Sequence, residues 1–460
     1  MKKSCLLLLV ILLIFQLLPV AGYAKQLENS CSTLLAGSAL TENLSFSITA
    51  KAVILYELNT KTLVYTRNPD ERINPTGLVK LLTALIVLEE GNLEDVVTVK
   101  RSTLNSIAAG AVSAGLKAGE EIKLEDLLYC VMVSSANDAA AVMAEHVAGS
   151  QAAFVEKMNA RAATLGCVNT NFTNVHGLKD DRQYSTARDL AIIAEEALKN
   201  ERFCYFFGVT SHTVAATNAS DTRNLKTTNY MMNSDSKYYD ARVIGGKPAA
   251  AATADRSMIC TAQAGESYYL CVVISAKAKT SGSSVTRYTN LDEAKSVLDM
   301  GFEEYAVQQV VGNEQPFTMY PVSQGENHVV VAPDRQVFAL LPVKFQSEQI
   351  QFRDVRDSKA LVAPLSAGTV VGTLQIYYGS ILIGEADLVA RHDVAPVGSS
   401  IMADQTDQNQ ERGLLGKIIL CAILLVLVAG VCFAGFYFVP RFIKKRTGSP
   451  KNYRKERKRV

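Results

Sequence analysis

Apolar positions fall into three kinds of pattern along the chain. Uninterrupted apolar runs sit near its two ends, Leu6 to Val20 and Ile418 to Val439. Between Ala50 and Met300, strand spacing alternates with helix spacing. The runs Ala52-Val53-Ile54-Leu55-Tyr56-Glu57 and Thr62-Leu63-Val64-Tyr65-Thr66 flank Asn59-Thr60-Lys61 and predict a β-hairpin. Asn74-Pro75-Thr76-Gly77-Leu78-Val79-Lys80 then runs into an almost wholly apolar segment ending at Glu89, the pattern of a helix buried on all sides. Leu124, Leu127, Leu128 and Val131 recur at helical spacing and stop at Ser134-Ser135-Ala136-Asn137-Asp138. Further helices are expected from Asp138 to His146, from Phe154 to Leu165 and from Thr186 to Leu198. Strands are expected at Ala241–Ile244, Met258–Ala262 and Tyr268–Ala276, followed by a helix at Leu291–Met300.

Two strands, many helices and three strands describe an α+β fold whose sheet draws on both ends of one domain. Past Val310 the character changes. Short apolar runs at Thr318–Val322, His328–Val331, Val337–Val343, Ile350–Arg353 and Thr369–Tyr377 predict a small all-β domain. The expected organisation is a larger domain over 50–305, preceded by a loose polar lead-in at 25–49. A β domain over 313–396 and a polar tether at 397–416 follow.

The terminal runs change the picture from a two-domain chain to an exported one. Met1-Lys2-Lys3, the first apolar run and Ala21-Gly22-Tyr23-Ala24 form a signal-peptide pattern with cleavage after Ala24; an uncleaved anchor is the alternative. The second run suits a transmembrane helix over 417–440. Ten Lys/Arg and one Glu follow in 441–460, which places that tail in the cytoplasm and the bulk of the chain outside, facing the cell wall. The tail and Lys2-Lys3 together exceed the formal net charge of +2, so the exported segment is acidic and nucleic-acid binding by it is not expected.

Six cysteines fall in the exported part: Cys31, Cys130, Cys167, Cys204, Cys260 and Cys271. Their spacing fits neither a disulfide scaffold nor a zinc site. Cys260 and Cys271 are placed to face one another across a hairpin, as a bridge or as two buried thiols. The five histidines show no metal-ligand spacing, and no metal or other cofactor is implied.

The candidate chemistry centres on Lys80. A serine three residues before a helix lysine shares its face, so the lysine takes the serine's proton. Here that position is Gly77. Several further stretches resemble the D-alanyl-D-alanine carboxypeptidases, the low-molecular-mass penicillin-binding proteins with a serine β-lactamase-like fold. These are Ala114-Gly115-Leu116-Lys117-Ala118-Gly119-Glu120, Ser135-x-Asn137-Asp138-Ala139-Ala140, Glu145-His146-Val147-Ala148-Gly149-Ser150, Asn174-x-His176-Gly177-Leu178 and Thr186-Ala187-Arg188-Asp189. Ala363-Pro364-Leu365-x-x-Gly368-x-Val370-Val371-Gly372-Thr373 in the β domain is similar to the same family.

The resemblance implies an α+β penicillin-binding-protein-like domain, a C-terminal β domain and peptidoglycan stem peptides ending in D-Ala–D-Ala as the substrate class. It implies three motifs around one cleft. In Ser-x-x-Lys, Lys80 matches as the base, and Gly77 has no side chain to acylate. In Ser-x-Asn, Ser135 matches the proton relay and Asn137 the residue that binds the substrate amide. In Lys-Thr-Gly on an edge strand, Lys247 matches, whereas Pro248 and Ala249 replace the threonine and the glycine. Proline lacks both the hydroxyl and a backbone donor, and Ala249 adds a methyl beside the cleft.

The expectation is therefore a pseudoenzyme that binds stem peptides or holds a protein partner at the membrane. Two alternatives stand beside it: a residual hydrolase using Thr76, four residues before Lys80, or an activated water; and a structural cell-envelope assembly factor. Lys80, Lys247 and Asn137-Asp138 also have a structural reading, as a buried polar cluster and a helix cap.

Overall fold

The computed structural model describes residues 38–397, apart from 251–254, 282–283, 314–315 and 357–359. The signal peptide, the first part of the lead-in, the tether, the transmembrane run, the basic tail and Cys31 lie outside the described residues. Among the described residues, no helix is long and apolar enough to cross a membrane.

Strands β1 (Ala52–Glu57) and β2 (Thr62–Arg67) form the expected hairpin. A 3-10 turn at Thr76–Val79 leads into α1 (Lys80–Glu90). A two-stranded ribbon, β3 (Val96–Thr98) and β4 (Glu121–Lys123), brackets the short α2 (Arg101–Asn105). Helices α3 (Leu124–Met132), α4 (Asn137–Ala148), α5 (Gln151–Thr164), α6 (Ala187–Leu198) and α7 (Glu201–Gly208) follow. A second ribbon pairs β5 (Ser211–Val214) with β6 (Arg223–Lys226). Then come β7 (Val243–Ala250), β8 (Asp255–Ala264) and β9 (Ser267–Lys277), the short β10 (Lys279–Ser281) and β11 (Ser284–Arg287), and α8 (Thr289–Glu304).

The main sheet is antiparallel in the order β2-β1-β9-β8-β7, so the two ends of the domain meet where β1 pairs with β9. Its central strands β1 and β9 are buried on both faces over most of their length, and the period of two divides their side chains between two cores. Ala52, Ile54 and Tyr56 of β1 and Leu270, Val272 and Ile274 of β9 enter a core shared with α1, α3, α4, α5 and α6. Val53 and Leu55, with Tyr269, Cys271 and Val273, face the opposite core, closed by Leu291, Ala294, Val297 and Leu298 of α8. Helix α1 is the hub: every residue from Lys80 to Leu88 is buried.

Helix ends follow local chemistry. Ser150 caps α5 by accepting from the Ala153 amide, Thr186 caps α6 through the Asp189 amide, and Gly149 ends α4 at a left-handed φ of 78°. The Glu145–Ser150 motif is thus accounted for as a helix junction, with Glu145 joined to Lys100 at 2.9 Å and to the Thr103 hydroxyl.

Several expectations need correction. Residues 38–49 are not a loose lead-in: Leu40 and Thr41 hydrogen-bond to Leu63 and Val64, and Leu44, Phe46 and Ile48 pack on the second core. Apolar residues spaced through a polar segment supply that anchor. The strand expected to end at Ile244 runs on through Lys247 to Ala250. Helices α2 and α7 and the two ribbons lie outside the elements expected from the sequence, because short elements carry too few periodic positions. Cys260 and Cys271 are cross-strand partners, fully buried, and both are free thiols.

Beyond Glu304 the described chain has strands and one 3-10 turn at Ser347–Gln349. The strands are β12 (Tyr305–Val311), β13 (Thr318–Tyr320), β14 (Val329–Pro333), β15 (Val337–Pro342), β16 (Ile350–Val355), β17 (Val370–Tyr378) and β18 (Ile381–Ala390). The all-β expectation holds, with β12 and β18 added. By compactness the described residues form two units: one takes those up to 313 with 333–355 and 373–387, the other those within 314–332, 356–372 and 388–397. In the first, β12 pairs with β15 and β16 with β17; in the second, β13 pairs with β14 as far as Val331.

Candidate active site

All the residues singled out in the sequence around Lys80 converge on one place in the first unit. Lys80 opens α1 with its side chain 2 % exposed. Its Nζ donates to Asn137 Oδ1 at 2.8 Å and to the carbonyl of His176. Asn137, at the first turn of α4, is held in turn by the Val112 carbonyl, which accepts from its side-chain amide at 2.9 Å and from its backbone amide at 2.8 Å. Lys80 therefore ties α1, α4 and the 174–178 turn together.

Lys247, on the edge strand β7, is fully buried, and its Nζ donates to the carbonyls of Val131 at 2.9 Å and Met132 at 3.3 Å. Those carbonyls close the C-terminal end of α3, where a helix has acceptors to spare and favours a cation. Among the described residues neither lysine has a carboxylate partner. Burial therefore dominates their titration: it pushes Lys80 down to about 7 and Lys247 well below the usual lysine range, with Lys80 adding repulsion at Lys247. The same burial, with Lys80 beside it, lowers His176 to about 4, so its ring is neutral at pH 7.

Ser135 sits in the link between α3 and α4 at a left-handed φ of 63°, a conformation serine seldom adopts. The Ala136 amide donates to the Cys130 carbonyl on one side, and the Asn137 amide to Val112 on the other, which fixes the link. A side-chain carbon at Gly77 would stand 3.8 Å from Ser135 Oγ, 3.9 Å from Lys80 Nζ and 3.4 Å from Ala249 Cβ. These are ordinary contact distances, so the position has room for a side chain and faces both polar groups.

One expectation about a supporting role is revised. Asn137-Asp138 is not a helix cap: Ala136 holds the N-cap position without a side-chain bond. Asp138 instead gathers the Ser113 hydroxyl at 2.6 Å and the amides of Ala114 at 2.8 Å and Leu116 at 3.2 Å. It thereby anchors the loop that carries Val112. Lys80 bonds to Asn137 but not to Ser135.

The 174–178 turn, quoted above only as a resemblance, positions the site directly. Asn174 Oδ1 accepts from the Gly177 amide at 2.6 Å, and Thr83, one turn along α1 from Lys80, donates to the Val175 carbonyl at 2.7 Å. Gly177 has a φ of 82°, and a Cβ there would lie 1.8 Å from the Thr76 carbonyl oxygen. Only glycine lets this turn seat against the Thr76–Gly77 peptide. The Gly177 that follows His176 was the available sequence signal for that contact.

Thr76 does not present itself as a substitute nucleophile. Its φ is 50°, its amide donates to Asn74 Oδ1 at 2.9 Å, and its hydroxyl is buried with no hydrogen-bond partner. Lys80 Nζ is directed elsewhere.

With this geometry in view, comparison with known proteins is decisive. The family profile described as D-alanyl-D-alanine carboxypeptidase matches residues 38–278. The chain belongs to this family. The profile for the C-terminal domain of penicillin-binding protein 5 matches residues 305–396. D-alanyl-D-alanine carboxypeptidase DacF of Bacillus subtilis is 28 % identical over 352 residues, spanning 76 % of this chain and 87 % of that one. Penicillin-binding protein 5 of Haemophilus influenzae superposes with a TM-score of 0.62 at 26 % identity, over 77 % of this chain and 99 % of that one. A peptidoglycan synthesis regulatory factor (PBP3) of Streptococcus pneumoniae superposes with a TM-score of 0.60 at 25 % identity, over 76 % and 100 %.

Proposed function

We propose that the protein is a pseudoenzyme of the D-alanyl-D-alanine carboxypeptidase family that binds peptidoglycan stem peptides without forming an acyl-enzyme. In this reading Asn137 binds the substrate amide, Lys247 shapes the edge of the cleft, and Lys80 and Ser135 keep the positions of base and proton relay. The signal-peptide and transmembrane patterns of the sequence support a location of the folded domains outside the membrane, facing the wall, with the basic tail inside. The carrying observation is the surroundings of Gly77: a side chain there would face Lys80 Nζ and Ser135 Oγ at 3.9 and 3.8 Å, yet glycine supplies no nucleophile.

Loss of a serine nucleophile alone costs about a million-fold in turnover in a serine protease. Pro248 further removes a backbone donor from an edge strand on which an extended peptide docks by hydrogen bonding. Binding is tested by calorimetric titration with a stem pentapeptide ending in D-Ala–D-Ala and with its L-Ala–L-Ala counterpart. Saturable binding of the first alone supports the reading. Equal or absent binding of both removes the peptide ligand and leaves an envelope assembly role.

A further inference from the structure

We infer that Cys260 and Cys271 are a disulfide-forming pair, joined across β8 and β9 when the chain folds in contact with a small disulfide oxidant, before α8 covers them. The structure shows the reduced form of this pair, and the inference is independent of the peptide-binding reading. Four observations carry it. First, the two residues stand directly opposite each other in the register of β8 and β9. Such residues hold their β-carbons about 4.5–5.5 Å apart, and a disulfide holds them about 3.5–4.5 Å apart, so an approach of about 1 Å closes the bond. Second, the thiols are already partners: the hydrogen bond with Cys260, together with burial, holds Cys271 well above the usual thiol range. Third, the pair is local. Its strands end at Ala264 and resume at Ser267, so the thiols meet as soon as this tight hairpin closes. Fourth, their cover comes later in the chain. Both side chains are fully buried in the core that Leu291, Ala294, Val297 and Leu298 of α8 close, and the Cys271 thiol lies 4.0 Å from the Ala294 carbonyl. Helix α8 starts at Thr289, after both strands. The signal-peptide pattern supports folding in an oxidising compartment, where such pairs lose their hydrogens.

Oxidised glutathione represents the oxidant class. While the hairpin is open to solvent, one cysteine loses its proton and its thiolate attacks a glutathione sulfur. A protein–glutathione S–S bond forms, the S–S bond of the oxidant breaks, and one glutathione leaves as a thiolate that takes up a proton. The second cysteine, as thiolate, attacks the protein sulfur of this mixed disulfide. The Cys260–Cys271 bond forms and the second glutathione leaves in the same way. Two electrons and two protons have passed from the two cysteines to the two glutathiones. Once α8 is seated the exchange stops: Cys271 stays a thiol, and no oxidant reaches either sulfur.

The test synthesises the full chain cell-free into detergent under three conditions. One buffer holds reduced and oxidised glutathione throughout, one holds reduced glutathione alone, and in the third the oxidised form is added only after synthesis and folding. Each sample is quenched in acid, alkylated in denaturant and cleaved with trypsin. Cleavage after Arg256 and Lys277 leaves both cysteines in one peptide, 257–277, read by mass spectrometry. The expected result in the first buffer is loss of both alkyl groups and of two hydrogens from this peptide, restored by a reductant before alkylation. In the second and third buffers both cysteines are alkylated. Cleavage after Glu266 checks the link, because the two halves stay joined only through the bridge. Two alkylated cysteines in the first buffer overturn the inference. Glutathione left on either cysteine, or pairing of Cys260 or Cys271 with a different cysteine, overturns it equally. A bridge that forms as fully in the third buffer as in the first overturns the requirement that oxidation precede the seating of α8.

Discussion

Gly77 and Ala249 face one another across the cleft: a side-chain carbon on Gly77 would stand 3.4 Å from the Ala249 methyl. Two of the three positions at which the proposed reading departs from the family motifs are therefore neighbours, Gly77 lacking a side chain and Ala249 bearing a methyl. Gly77→Ser is expected to fold, with a stability change within about 1 kcal/mol, because the new carbon makes only ordinary contacts. Denaturant unfolding of the two proteins measures this. A loss several times larger means that Ala249 has closed the position.

Gly177→Ala is the opposite case. The added methyl meets the Thr76 carbonyl at 1.8 Å, at a backbone angle that disfavours any side chain. Overpacking and backbone strain together predict a loss of about 3 kcal/mol or more. A melting temperature close to that of the native protein contradicts the tight seating of the 174–178 turn.

Asn137→Ala leaves Lys80 Nζ without one of its two acceptors and removes a donor from Val112. Stranding buried polar groups predicts a loss of about 2 kcal/mol. A double-mutant cycle with Lys80→Met isolates the pair: the double variant is expected to lose less than the sum of the single variants.

The buried lysine gives stability a definite pH dependence. The Lys80 amine takes a proton near pH 7 in the folded protein, against 10.5 for an ordinary lysine. Between those values the unfolded chain binds more protons, so stability rises with pH across this window; below pH 7 the full penalty of burying the charge applies. The slope contributed is about 1.4 kcal/mol per pH unit at most. The stability difference between native and Lys80→Met is expected to shift in favour of native as pH rises from 7 to 10. A difference independent of pH contradicts the lowered Lys80.

Thiol reactivity reports the packing of the sheet. Cys260 and Cys271 face each other on adjacent strands, fully buried, and burial pushes Cys130 up to about 12. Brief alkylation of the reduced native protein is expected to reach Cys204, which is partly exposed, and to spare Cys130, Cys260 and Cys271 until unfolding. Native-state labelling of Cys271 contradicts the arrangement.

What the sequence made legible has a physical pattern. Ala52 to Glu57 reads as a strand because six consecutive buried positions leave little else, and α1 reads as a buried helix for the same reason. The motif residues Lys80, Ser135, Asn137 and Lys247 were legible through family resemblance, and the fold brings their elements together. The supporting shell was not legible, because it is made of backbone: the carbonyls of His176, Val112, Val131 and Met132 carry no residue signature. Long-range closure was equally hidden. Glu293 accepts from the amides of Thr49 and Ala50 across more than two hundred residues, and no local period announces that contact.

The central claim is that a carboxypeptidase scaffold persists here with only its chemistry removed. The most direct measurement is D-alanine release from a stem pentapeptide by the native protein beside the triple variant Gly77→Ser, Pro248→Thr, Ala249→Gly. The account predicts a native protein at the water background and a triple variant that turns over. Comparable release by the native protein contradicts it and makes Thr76 and Lys80 the residues to substitute next. Silence from both contradicts the persistence of the scaffold's cleft.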